Sequence, residues 1–183
     1  MVIGPDTVRE PRRDEFDEIH DLLVAAFDTP AEAKLVRQLR NDGAMAIELV
    51  KPWEGNIGAY VALSRMQAPE GWLCLAPIAV RPEWQDGALT LSLGQKQQFR
   101  FGSRLLSQLA LSHKRGLFAK PFGEDVSIVV LGKPSFYQRA GFSLDRARNL
   151  TSPYPLEYTL ILRHGEEAPE ATLVYPPALE ALG

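Results

Sequence analysis

Val126-Ser127-Ile128-Val129-Val130-Leu131-Gly132-Lys133-Pro134-Ser135-Phe136-Tyr137-Gln138-Arg139-Ala140-Gly141-Phe142 reads as a buried strand, a stop and a short helix in succession. Apart from its first residue, Ser127 to Leu131 is β-branched or apolar, the composition of a strand covered on both faces. Gly132 ends that run, Pro134 suits the first position of a helix, and Gly141-Phe142 closes it. Tyr137 falls on the short helix, so a phenol is carried to the C-terminal end of a buried strand. Residue type leaves two readings open: Phe136 and Tyr137 pack the helix down, or the phenol gives up a proton in catalysis.

Upstream, Phe16, Ile19, Leu22, Leu23, Ala26 and Phe27 fall at helical spacing, which predicts a helix over Asp14 to Phe27. Thr29-Pro30-Ala31-Glu32 reads as a second helix start with a capping box. Leu35, Val36 and Leu39 form that helix's apolar face, and Asn41-Asp42-Gly43 ends it. Three strands are expected at Met45–Val50, Ile57–Arg65 and Trp72–Val80, joined by turn-rich segments short enough for an antiparallel meander. Phe101, Leu105, Leu106, Leu109 and Ala110 mark a further helix, and Glu157–Arg163 a last strand. This order is mixed α/β in a single domain over residues 1–163. Residues 164–183, rich in Pro, Ala and Glu, read as a C-terminal surface tail. The strand–helix–strand unit from Trp72 to Leu131 should be right-handed and carry the functional edge.

The chain is 183 residues with 45% hydrophobic and 23% charged content, enough for one sizeable core. No apolar stretch is long enough to span a bilayer, and Met1 to Arg13 lacks the apolar core of a signal peptide, so a cytoplasmic protein without membrane contact is expected. Cys74 is the only cysteine, which excludes an internal disulfide and a cysteine-based zinc cluster; no metal is expected. The net charge of −3 argues against nucleic acid as a partner. The charge is uneven, however. Ala88 to Gly123 has no Asp or Glu but holds Lys96, Arg100, Arg104, Lys114, Arg115 and Lys120, a +6 segment that leaves −9 on the remainder. That pattern points either to a small anionic ligand or to a solvated basic helix face.

With these residues in this order, Thr7 to Arg163 resembles the GCN5-related N-acetyltransferase (GNAT) superfamily, and within it the YhbS-like bacterial acetyltransferases. Trp72-Leu73-Cys74-Leu75-Ala76-Pro77-Ile78-Ala79-Val80-Arg81-Pro82-Glu83 is similar to the family's fourth strand and its exit. Leu131 to Tyr137, followed by Gly141-Phe142, is similar to the fifth strand and the closing Tyr-x-x-x-Gly-Phe. Pro30 to Val36 and Leu173-Val174-Tyr175-Pro176-Pro177-Ala178 are of the subgroup's type.

The resemblance implies a mostly antiparallel central sheet with helices on both faces, whose fourth and fifth strands splay apart. It implies acetyl-CoA as cosubstrate and a small-molecule or peptide amine as acceptor. The pantetheine arm would pair with the main chain near Ile78, Ala79 and Val80. Tyr137 would protonate the departing thiolate. A degenerate, non-catalytic acyl-CoA-binding or regulatory module is the alternative.

The family's phosphate loop, Gln/Arg-x-x-Gly-x-Gly/Ala, fits best at Gln97-Gln98-Phe99-Arg100-Phe101-Gly102, followed by Ser103. Arg100 stands where the first glycine is expected. The cofactor-binding expectation there is Arg100, Phe101, Gly102 and Ser103, with free amides and the positive helix end attracting phosphate. A rival register at Gln85-Asp86-Gly87-Ala88-Leu89 puts Asp86 against phosphate. The preferred register leaves Gln85 to Lys96 as an insertion in which Leu89, Leu91 and Leu93 alternate with polar residues: a hairpin arm over the cofactor, an edge for homodimer contact, or an unstructured loop. Glu32 reads as a capping residue, Glu83 as a solvated loop residue, His20 and His113 as packing or surface groups, and Cys74 as a buried apolar residue. The general base is unassigned.

Overall fold

The computed structural model describes residues 7–85, 88–90, 96–98 and 100–182. A 3-10 turn at Arg13–Glu15 leads into α1 (Phe16–Phe27), and α2 (Ala31–Asn41) follows after a short connection. The meander comes next: β1 (Met45–Trp53), β2 (Asn56–Arg65) and β3 (Leu73–Val80). A small antiparallel pair, β4 (Ala88–Thr90) and β5 (Lys96–Gln98), stands between β3 and α3 (Phe101–Lys114). After α4 (Ala119–Phe122) come β6 (Ile128–Leu131), α5 (Pro134–Tyr137), β7 (Leu150–Thr151), β8 (Thr159–Leu162), β9 (Ala171–Thr172) and α6 (Pro177–Glu180). β4 thus lies within the expected insertion, while β5 begins at its last residue and runs into Gln97 and Gln98 of the expected phosphate loop; Leu91 and Leu93 lie outside the described residues. The last long strand is shorter than expected, because Leu156–Tyr158 forms a 3-10 turn.

The main sheet has the order β1-β2-β3-β6-β8, antiparallel except where β3 and β6 run parallel. Alternate residues of its central strands serve different cores. Ala59, Val61, Leu63, Leu73, Leu75, Ile128 and Val130 face α3, where they bury Phe101, Leu105, Leu106 and Leu109. From the other face Tyr60 and Ala62 meet Ile19, Leu22 and Leu23 of α1 and Val36 of α2. Cys74, Val129 and Ile161 meet Leu35 and Leu39 of α2. A sheet covered on both faces explains why β2 and β6 read as continuous apolar runs.

The β3–β6 ladder is short. It pairs Leu73 with Ile128, Cys74 with Val129 and Leu75 with Val130, and then stops although β3 runs on to Val80. Pro77 supplies a cause: it has no N–H to extend a ladder, and the β2–β3 register shifts at this point, between Val61 and Leu63. Past Leu75 the two strands splay, and the free edge of β3 opens beside the start of α3.

The surface-tail expectation for 164–183 is corrected. Leu173, Tyr175, Ala178 and Leu179 are buried in the core that contains Cys74 and Val129. β9 pairs in parallel with β7, and Val174 exchanges main-chain hydrogen bonds with Ala68 at 2.9 and 3.2 Å. The Pro, Ala and Glu content that suggested a surface segment does describe the approach from 164 to 170. The four apolar residues after it have no periodicity that marks them as core.

Candidate active site

A cleft of about 410 Å³ lies where β3 splays from β6. One wall is β3 itself, through Ile78, Ala79 and Val80. The floor is the start of α3, through Arg100, Phe101, Gly102 and Ser103. Ala26 and Phe27 from the end of α1, Trp84 and Gln85 from the turn after β3, and Phe136 of α5 complete the lining. The seven residues expected to hold a cofactor are thus brought together in one depression.

The floor is electropositive. Arg104 N–H donates to Arg100 O at 2.9 Å as the first bond of α3, so the amides of Phe101, Gly102 and Ser103 lie outside the helical ladder. α3 has no acidic residue in its first turn, and the exposed Arg100 adds a positive charge at the helix end. Arg100 caps the helix at φ −96°, ordinary backbone for any L-residue, so the missing first glycine imposes no dihedral strain. Gly102 is needed for packing instead. A Cβ there would stand 3.1 Å from Val80 Cγ2 and 3.6 Å from Phe136 Cζ, so its absence lets the helix end close onto β3. A second groove, about 640 Å³, continues from Arg100 and Ser103 along α3 and brings Lys51 and Arg104 to the same side.

Aromatic packing fixes the floor. Phe101 meets Trp53 edge-on at 5.9 Å and Trp84 at 5.3 Å. A polar latch holds α1 against this corner. Glu18 Oε1 accepts from Ile57 N–H at 2.7 Å and from Arg81 Nη2 at 2.6 Å, while Arg81 Nε donates to Ile57 O at 2.7 Å. The ion pair is partly exposed and contributes only about 1 kcal/mol by itself. Its larger effect is geometric, because it joins α1, the start of β2 and the exit of β3.

Tyr137 does not line the cleft. It is buried behind Phe136, which does, with the two rings edge-on at 5.0 Å. Its other contacts are Phe142, edge-on at 5.8 Å, and the backbone of Gly132. Burial pushes its phenol up to about 12, so it stays protonated across the physiological range.

The remaining candidates have structural partners. Thr29 Oγ1 accepts from Ala31 N–H at 3.4 Å and donates to Glu32 at 3.1 Å, a cap in which Glu32 reaches the side chain and not the backbone of its partner. His113 is buried, lies 2.9 Å through Nε2 from Val126 O, and stacks on His164 at 4.4 Å; burial lowers its pKa. Cys74 is 1% exposed and its thiol is pushed up to about 12 by burial, which leaves it unreactive. Glu83 is exposed and His20 half-buried, and neither lines the cleft. Sequence reasoning missed Ala26, Phe27, Trp84, Gln85 and Phe136. A tryptophan two residues past the strand-ending Arg81-Pro82 was the one local signal for the turn that walls the cleft.

Among the described residues no cluster of His, Cys, Asp or Glu could hold a metal, and no helix is long and apolar enough to cross a membrane. No family model matches the chain. It is 32% identical over 141 residues to the uncharacterised N-acetyltransferase YhbS of Escherichia coli (strain K12), a match that spans 75% of this chain and 73% of that protein. The fold resembles the crystal structure of the GNAT family N-acetyltransferase YhbS from Escherichia coli in complex with CoA. The TM-score is 0.76 at 25% identity, over 97% of this chain and 93% of the other. It also resembles a GNAT family acetyltransferase from Brucella melitensis in complex with acetyl-CoA, with a TM-score of 0.68 at 25% identity over 94% and 97% of the two chains.

Proposed function

Since the chain belongs to the GNAT family of N-acetyltransferases, we propose that it transfers an acetyl group from acetyl-CoA directly to an amine, with Tyr137 as the acid that protonates the leaving sulfur. The observation that carries this reading is the cleft at the splay, in which the edge of β3 past Leu75 faces the start of α3. Backbone groups of Ile78 to Val80 would hold the pantetheine arm. The amides of Phe101, Gly102 and Ser103, with Arg100, would take the pyrophosphate. Arg104 and Lys51 extend the cationic surface along the adjoining groove.

In this mechanism the free amine attacks the thioester carbonyl, and a main-chain N–H on the β3 edge polarises the oxygen as it gains charge. Collapse of the tetrahedral adduct breaks the C–S bond, and the phenol gives its proton to sulfur. The nitrogen loses a proton to solvent as the amide forms, and the phenolate is reprotonated from solvent before the next turnover. A thiol in water titrates near about 8.5, which would make a donor at about 12 a poor acid. The transfer is therefore uphill and relies on positioning, and it requires Phe136, which stands between the phenol and the cleft, to turn aside. The acceptor is a small-molecule or peptide amine.

Calorimetry with acetyl-CoA and CoA, together with CoA release on a panel of amines and peptides, tests the proposal. Binding with turnover is expected. Replacing Tyr137 by Phe should lower kcat by about 100-fold, in line with the loss of a general acid, and leave acetyl-CoA affinity within about threefold. Absence of binding at millimolar ligand overturns the proposal. Tight binding without transfer to any acceptor makes the protein an acyl-CoA-binding module, and full turnover by Tyr137→Phe removes the phenol from the mechanism.

A further inference from the structure

Gly132 does not occupy its position for conformational reasons, because its backbone lies outside the left-handed region that favours glycine. What singles it out is the phenol laid against it. A Cβ on Gly132 would stand 2.5 Å from Tyr137 Cε2, 3.3 Å from Cζ and 3.4 Å from the hydroxyl oxygen. These distances place Cε2 in the space a side chain would fill, with Cζ and the hydroxyl oxygen at the limit of ordinary contact.

The contact has little freedom on either side. Gly132 N–H donates to Tyr158 O at 2.9 Å, which ties the backbone after β6 to the segment leading into β8. Behind the ring stands Phe142, 2% exposed and edge-on at 5.8 Å. Phe142 N–H also donates to Tyr137 O at 3.3 Å. Phe136 closes the remaining side, edge-on at 5.0 Å. The phenol therefore sits in a slot with Gly132 as one wall and Phe142 as the other.

We propose that Gly132 and Phe142 are positioning residues that set where the Tyr137 hydroxyl stands relative to the leaving sulfur. The proposal rests on the catalytic reading of Tyr137 above. A methyl group at residue 132 needs ordinary contact distance, so the ring must move by about 1 Å, an error sufficient to cost about 100-fold in a positioned proton transfer. The cofactor's contacts at Ile78 to Val80 and at Arg100 to Ser103 are made by other elements, so affinity for acetyl-CoA should not follow.

The test compares kcat, the acetyl-CoA Kd and melting temperature for the wild type, Gly132→Ala, Tyr137→Phe, the double variant and Phe142→Leu. Gly132→Ala should lose about 10- to 100-fold in kcat with Kd within about threefold. In the Tyr137→Phe background the same change should cost no further rate, because a methyl cannot misplace a hydroxyl that is absent, although any loss of stability persists. Phe142→Leu opens the opposite wall with a modest change in volume, and should lower kcat several-fold with Kd unchanged. It decides the matter if Gly132→Ala does not fold. Wild-type kcat in Gly132→Ala or in Phe142→Leu overturns the proposal. So does an equal rate loss from Gly132→Ala with and without the phenol, which marks an effect on packing alone. Full activity in Tyr137→Phe overturns the catalytic reading itself, a result separable from failure of the slot.

Discussion

Replacing Tyr175 by Ala should destabilise the protein strongly and leave its catalytic step intact. Tyr175 is fully buried, meets Tyr154 edge-on at 5.0 Å, and joins Leu173, Ala178 and Leu179 in the core beneath Cys74 and Val129. Truncating a buried aromatic of this size costs about 3–5 kcal/mol through lost burial and the cavity left behind. For a domain of 183 residues each kcal/mol moves Tm by about 2–4 °C, so a drop of about 6–20 °C is expected. The flanking main-chain bonds, Val174 N–H to Ala68 O at 2.9 Å and Leu173 N–H to Thr151 O at 2.8 Å, keep the segment docked and favour the smaller half of that range. Tyr175→Phe is the control. The buried hydroxyl, near Ser152, makes no hydrogen bond of standard geometry, so its removal should change stability by no more than about 0.5 kcal/mol. Thermal and urea melts followed by circular dichroism, with kcat measured at 20 °C or about that, separate folding from chemistry. A Tm within about 2 °C of wild type for Tyr175→Ala would refute the placement of this segment in the core.

Two further outcomes follow from charge. Arg100→Glu reverses the charge at the start of α3, and acetyl-CoA affinity should fall by about 5- to 30-fold at low ionic strength, with the difference shrinking near 1 M salt as screening takes over. Calorimetry at two salt concentrations checks it, and equal low-salt affinity would count against phosphate binding at this helix end. The Glu15 carboxyl is lowered from an ordinary 4.5 to about 2, first by its hydrogen bonds from Arg9 at 2.6 and 2.8 Å and then by the Arg12 N–H at 2.7 Å. A depressed carboxylate stabilises fully above its unfolded value and loses that contribution as pH falls towards its folded one, here from about 4.5 to about 2. Glu15→Gln should therefore flatten that part of the stability–pH curve by about 2 kcal/mol in melts, and parallel curves for the two proteins would contradict it.

Much of the frame is legible in the chain because its signals are local. Helical spacing marks Phe101, Leu105, Leu106 and Leu109, turn residues separate the strands of the meander, and Gly132 to Pro134 stops β6 and starts α5. The residues assigned to the phosphate loop and the β3 edge prove to share one cleft, even with Arg100 in a glycine's place. Other features had no local mark. Phe27 enters the cleft because the apolar face of α1 packs on the sheet and Glu18, Arg81 and Ile57 tie the helix to the exit of β3, contacts between segments about forty to sixty residues apart. Composition alone gave residues 171–180 the wrong side of the surface.

The sequence by itself determined the longer elements, their order, the family and the meeting of a cationic helix start with a strand edge, because each depends on neighbours in the chain or on a pattern of spaced residues; the short α4, β7, β9 and α6 carry no such mark. Tertiary structure alone decided that Tyr137 stands behind Phe136 in a slot walled by Gly132 and Phe142, and that Tyr175 is core. It also made Pro77 the point at which β3 leaves β6. These outcomes depend on which surfaces are left to fill the space between elements distant in sequence. Close packing settles that, since each side chain must occupy what its non-local neighbours leave.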